Sequence, residues 1–463
     1  MQVRQLIHRY LLPPIHNKCL RFTLQISGLY DSQAVGGEIR SSLLTLRHLK
    51  MLDLSLNDFG GQPIPEFIGA LRSLTHLDLS YSNFSGQIPP HLGNLSNLLN
   101  LQLSNTADSY LPDLAWLSRL KKLQVLGMSE VDLSAAVDWV HALNMLPDLM
   151  NIDLDSCGLR NSTMLYPVHS NLTSLETLYL SFNPFNTSMG ANNFVLALTR
   201  LQELSLLSCG IHGPVPDALG NLTSLRKPSL QENLFVDKVP STFKKLKKLQ
   251  VFELSNNFIS MDVIKLPHLL PPDELLKLRF DNNKLTGSLP AWIGQFSSLT
   301  IIKLNHNELS GEIPIGIREL TNLRDLWLNS NNLHGTINDD HFTNLTTLQV
   351  LLISDNSLTV KVSHTWNTPF SLYSASFSSC MLGPQFPAWL IQPTIETLDI
   401  FNTSIHDIIP AEFWTSSYHA TYLDCHEIGL LACFPHFFNL LAWMFRISVL
   451  TSFLVQFHYF HKI

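Results

Sequence analysis

One phrase constrains this chain more than any other, and it is repeated. Leu74-Thr-His-Leu-Asp-Leu-Ser-Tyr-Ser-Asn-Phe-Ser-Gly-Gln-Ile-Pro-Pro-His-Leu-Gly-Asn-Leu95 gives L-x-x-L-x-L, a polar run, F-S-G-x-I-P and L-G-N-L, and then begins again. The copies align on the third position after the second leucine of L-x-L. That anchor is Asn57, Ser82, Thr106, Val131, Cys157, Asn183, Cys209, Asn233, Asn257, Asn283, Asn307, Asn331, Asn356, Cys380 and Thr403, with successive spacings of 23 to 26 residues. A fixed period of that size means a solenoid that grows in one dimension, so 463 residues need not divide into separate globular cores.

Each L-x-L is expected to be a short parallel strand whose leucines enter the core, burial of each contributing about 1.5–3 kcal/mol. Stacked about 4.8 Å apart, such strands make a concave face of about 70 Å. The anchor Asn has an amide that can satisfy backbone groups where the chain leaves the strand. Cys157, Cys209 and Cys380 fit the same slot as buried thiols, whereas Val131 brings no hydrogen bond and marks a weaker rung. Pro228 stands where the pattern wants a strand leucine, which predicts a local defect, because proline has no N–H for a ladder.

The second half of the unit appears as Phe59-Gly-Gly-Gln-Pro-Ile-Pro, Phe84-Ser-Gly-Gln-Ile-Pro, Ile211-His-Gly-Pro-Val-Pro, Leu285-Thr-Gly-Ser-Leu-Pro and Leu309-Ser-Gly-Glu-Ile-Pro. With the L-x-x-L-x-L strands, this L-x-G-x-I-P run resembles the plant-specific leucine-rich repeat. The array is similar to the ectodomains of plant leucine-rich-repeat receptor-like proteins, the cell-surface receptors without a kinase. The resemblance implies an α/β solenoid, a leucine-rich-repeat horseshoe of the plant-specific subtype with parallel strands on the concave face and few regular helices. It further implies recognition of a peptide, glycan or protein ligand in defence or development, a receptor-kinase co-receptor as partner, and a plasma-membrane, extracellular-facing location.

Three segments are expected: a non-repeat stretch or degenerate cap at 1–34, an array of about fifteen turns at 35–424, and a divergent hydrophobic tail at 425–463. His8, Arg9, Pro13 and Pro14 break up any signal-peptide core near the start. The paired-cysteine cap of the family is also missing, so the chain reads as truncated at both ends. Residues 437–457 are long and apolar enough to span a bilayer, with Arg446 near the middle. The other reading of that tail is foreign sequence from a misread gene end.

No phosphate-binding glycine loop, H-R-D or D-F-G occurs, which excludes a kinase. His426-Glu427 lacks the second His of a zinc protease, since Leu430 stands there, and Cys425, His426, Cys433 and His436 are too irregular for a zinc site. No enzyme, cofactor or metal is expected. A net charge of −7 argues against nucleic acid.

Function is therefore sought on the strand face. Lys277, Arg279, Lys303, His306, Arg324 and Trp327 fall in consecutive turns, and cations beside an exposed Trp suit an acidic or glycan-bearing peptide. Earlier turns offer Glu130, Asp153, Asp155, Glu203, Glu232 and Glu253, with Tyr179 and Phe182 as aromatic contacts. N-x-[ST] glycosylation acceptors occur at Asn83, Asn94, Asn161, Asn171, Asn186, Asn221, Asn344 and Asn402. Asn94, Asn171, Asn221 and Asn344 each lie twelve residues before an anchor and so share one flank. The expected function is a ligand-recognition ectodomain. The alternatives are an extracellular inhibitor of a wall-degrading enzyme and a truncated, non-signalling paralogue.

Overall fold

The computed structural model describes residues 21–23, 37–106, 108–160, 171–190, 193–363, 366–425 and 428. The readings made for the remaining N-terminal residues, for Asn161, for His426, Cys433 and His436, and for the span 437–457 lie outside the described residues. The chain forms two compact units, Met1–Val236 and Asp237–Ile463.

In both units every L-x-L is a three-residue parallel strand. In the first unit the strands centred on Leu52, Leu77, Leu101, Leu126, Ile152, Leu178, Leu204 and Pro228 pair in that order, each central residue opposite the next. A further strand, Arg21–Thr23, pairs with Met51–Asp53 ahead of them. In the second unit the order runs through Phe252, Leu278, Ile302, Leu326, Leu351, Ala375, Leu398 and Leu423. All these central side chains from Leu52 onward are buried and their neighbours on the other face are mostly half-buried or exposed, the alternation that a strand's period of two imposes.

The strands stay in register because the slot residues tie successive turns together. Asn183 donates from Nδ2 to Leu180 O and, across one turn, to Leu154 O, while its Oδ1 accepts from the N–H groups of Cys157 and Leu159. Asn331 does the same with Leu328, Leu304 and Leu309. The buried thiols are donors as well as fillers: Cys157 Sγ reaches Met128 O at 3.1 Å, Cys209 Leu180 O at 3.2 Å and Cys380 Ile353 O at 3.3 Å. Burial holds all three thiols in the protonated, donating form. The rung at Val131 is repaired by its surroundings, since Met128 O accepts both the Val131 N–H and the Cys157 thiol.

One regularity was not legible in the residue pattern. The residue before every anchor, from Leu56 to Asn402, has a left-handed φ of 50–65°, and none of the fifteen is glycine. Non-glycine residues avoid that region unless the surroundings impose it. Here the corner is held between turns: its own N–H donates to a carbonyl of the next turn, as Leu56 does to Ser80 O and Glu130 to Asp155 O, and the slot residue that follows is bonded in the core.

Beyond the corner, the motif glycines Gly86, Gly213, Gly287, Gly311 and Gly335 also have positive φ, 78–94°. At Gly335 a Cβ would lie 2.6 Å from Glu312 Cγ, so close passage of adjacent turns adds to the backbone requirement. These segments form small parallel sheets, the largest in the second unit from Thr286–Ser288, Glu308–Gly311, Asn332–Asn338 and Ser357–Lys361. Most turns then bend back through a 3-10 turn, and among the described residues α-helix is confined to Trp139–Asn144, Leu266–Leu269 and Ala411–Ser416. Pro228 does not abolish its strand: Lys227–Ser229 forms, with Pro228 buried opposite Leu204.

Candidate functional site

Register brings three of the predicted residues side by side in the second unit. Lys277–Arg279 pairs with Ile301–Lys303, which pairs with Asp325–Trp327, so Arg279, Lys303 and Trp327 occupy one row on adjacent strands. The Lys303 ammonium lies 3.4 Å from the centre of the Trp327 ring, a cation–π contact. Burial, and after it the neighbouring Arg279 charge, pull the Lys303 pKa below the ordinary lysine value, against the opposing pull of Asp281, Asp325 and Glu253.

Arg279 is not a free cation, because its Nη1 meets Glu253 Oε1 at 3.0 Å with both side chains largely covered. This corrects the placement of Glu253 among acids offered to a ligand: it anchors the basic row. Their 26-residue separation, one period, was the signal for this pair.

Several polar atoms around the row have no protein hydrogen-bond partner. Among the described residues they include the donors Arg279 Nε and Trp327 Nε1 and the acceptors Asn305 Oδ1 and Asn329 Oδ1. Buried hydrogen-bonding capacity left unused is unfavourable.

The other predicted residues do not join this row. Lys277 shares a parallel row with Ile301 and Asp325. Arg324 precedes its strand and donates from Nη2 to Gln349 Oε1 at 3.0 Å. His306 is a left-handed corner residue (φ 52°), beyond the point where the chain leaves the strand. The same corner removes Phe182, Glu130 and Glu232 from the strand face of the first unit.

What remains in the first unit is a closed chain. Tyr179 Oη donates to Glu203 Oε2 at 2.6 Å, and Lys227 Nζ donates to Glu203 Oε1 at 2.6 Å. Lys227 first and Tyr179 second hold the Glu203 carboxyl below its usual range. Burial and the bond to Glu203 push the Tyr179 phenol up to about 12. Asp153 and Asp155 lie one turn before Tyr179, and burial raises both, Asp155 to about 6.

Asn83, Asn94, Asn171, Asn186, Asn221, Asn344 and Asn402 are all exposed. Asn83, Asn186 and Asn402 are left-handed, and the Asn83 amide donates to Asp58 Oδ1 at 2.6 Å.

A family model described as a leucine-rich repeat region matches residues 19–217 and 209–412. The receptor-like proteins EIX1 and EIX2 of Solanum lycopersicum are 32% and 31% identical to this chain, covering 82% and 81% of it and 44% of each relative. The chain thus spans less than half the length of these curated relatives. Among solved structures, PEPR1–AtPEP1 superposes with a TM-score of 0.66 at 24% identity, over 83% of this chain and 56% of that one. The Arabidopsis receptor kinase HAESA, in complex with the peptide hormone IDA and the co-receptor SERK1, gives 0.59 at 25%, over 85% and 60%.

Proposed function

The chain belongs to the leucine-rich-repeat receptor-like proteins, and from that premise we propose that it recognises an extended, acidic peptide on the strand face of its second unit. The observation that carries this is the row Arg279–Lys303–Trp327, in which an ammonium rests on an indole between groups with unused hydrogen-bonding capacity. Lys303 selects negative charge, Trp327 supplies the anchor, and the flanking asparagines and N–H donors take the ligand backbone, with Arg279 held in place by Glu253. Peptide ligands of receptors with the same fold, IDA on HAESA among them, support this class of ligand. Pairing with a kinase-bearing co-receptor, as SERK1 accompanies HAESA, is the corresponding partner reading. It goes with a role in defence or development and an extracellular-facing position at the plasma membrane. The exposed sequon asparagines fit that position, with glycans at Asn94, Asn171, Asn221 and Asn344 on a flank rather than on the strands.

The test is selection of a random displayed peptide library on the full chain, with Lys303→Glu and Trp327→Ala variants for comparison. Acidic peptides should be enriched on the wild type and lose affinity by about 100-fold on Lys303→Glu. Equal binding to both variants would place the ligand elsewhere.

A further inference from the structure

Away from the strand face, the second unit concentrates cations in the span 238–265. Lys238, Lys244, Lys247, Lys248 and Lys265 are exposed, and among the described residues their side chains have no ion pair or hydrogen bond; Lys245 adds a sixth charge. Of the carboxylates here, Glu253 is paired with Arg279, while Asp262, which caps the Ile264 N–H, and Asp237 keep their charges, leaving the lysines in excess.

The sequence slot makes this cluster informative. Lys245-Leu-Lys-Lys248 stands where other turns carry Asn94-Leu-Ser, Asn171-Leu-Thr, Asn221-Leu-Thr and Asn344-Leu-Thr. A flank elsewhere suited to glycans is cationic here. The first unit has a similar substitution, Arg119-Leu-Lys-Lys122, but there each cation reaches a neighbouring turn. Arg119 Nη1 donates to Asn94 Oδ1 at 3.4 Å, Lys121 Nζ to Met145 O at 2.9 Å and Lys122 Nζ to Asn97 Oδ1 at 2.9 Å. Cations in that slot can be structural. Lys247 and Lys248 make no such bond among the described residues, and apart from Asp273 and Glu274 one turn on, their charges face solvent.

Chemistry and placement narrow the anion such a surface would take. Lysine ammoniums are hydrated point charges without the fork by which arginine grips one carboxylate, so they suit summed attraction to a polyelectrolyte. Lys238 precedes the 3-10 turn Ser241–Lys245, Lys244 lies in it, and Lys247 and Lys248 follow on the return to the strand. Lys265 leads into the helix Leu266–Leu269 of the next turn. These charges follow a bend, which a linear polymer can trace and a flat bilayer cannot. Asp273 and Glu274 hold the slots of Lys247 and Lys248 one turn later, and they bound the patch along the array.

We propose that this outer bend docks a linear, carboxylate-bearing polysaccharide, lying around the turn and separate from the peptide row. The experiment measures binding of polygalacturonate to the full chain by biolayer interferometry, with neutral dextran and phosphatidylserine vesicles alongside. Expected are binding to polygalacturonate alone and a loss of about tenfold or more in affinity from 50 to 200 mM salt. Lys244→Gln/Lys247→Gln/Lys248→Gln should weaken binding about tenfold at low salt, while arginine at the same positions stays within about twofold. Unchanged affinity in the glutamine variant, loss in the arginine variant, or capture by the vesicles instead of the polymer would each overturn the proposal. Peptide selection at Lys303 is read separately, so either site can fail without the other.

Discussion

The strand faces of the two units carry the same kinds of residue in different states. In the first, Glu203 sits between Tyr179 and Lys227, and the carboxylate and both its donors are bonded. In the second, Glu253 takes Arg279, while Lys303 is left on Trp327 with Arg279 Nε and Trp327 Nε1 unpaired. One carboxylate satisfies its row and the other leaves a surplus of donors. The difference lies in which residues face each other one period apart, and it separates a row whose carboxylate and donors are all bonded from one in which a cation rests on an indole beside buried unpaired donors.

The largest effect that sharpens this contrast is on stability. Arg279→Met should cost about 2 kcal/mol, because Glu253 and Arg279 are only 15% and 29% exposed and separation strands charge in a poorly solvated place. Lys227→Met, from a pair 48% and 29% exposed, should cost about 0.5 kcal/mol. Denaturant unfolding of the two variants measures both, and equal losses would break the comparison.

A smaller effect is expected at Tyr179→Phe, about 1 kcal/mol at neutral pH from loss of the bond to Glu203. Glu203 has a depressed folded-state pKa, so its contribution is present above the unfolded carboxylate value and is lost as pH falls through the folded one. The gap between Tyr179→Phe and wild type should therefore narrow on acidification. Peptide binding at the Lys303 row should be unaffected, and a tenfold loss there would show the two faces acting on one ligand.

The smallest is at Asp155. Burial raises its folded pKa to about 6, above the ordinary aspartate range, so the folded state is progressively penalised as pH rises from that range through the folded value. Asp155→Asn keeps an acceptor for the Ser181 N–H and removes the charge. It should raise Tm by about 0.5 °C at pH 7 and by nothing measurable at pH 3.5, the side chain being solvated enough to mute the effect.

Much of this protein was settled by its sequence. The period, the buried leucines and the slot residues fix a solenoid of parallel strands, because every turn must repeat the same burial and the same backbone bonds. The row Arg279–Lys303–Trp327 was also legible, since residues one period apart on flat strands become neighbours. The left-handed corners were not legible. Leu56, Tyr81 and Phe182 give no local reason for positive φ, and bonds to the adjacent turn, their own N–H groups donating to Ser80 O, Ser104 O and Leu207 O, help hold them there. Those corners carried His306 and Phe182 off the strand face. Tertiary register likewise decided that Glu253 belongs to Arg279 and Glu203 to Tyr179 and Lys227, because a charge is spent or available according to what lies within 3 Å on the adjacent turn.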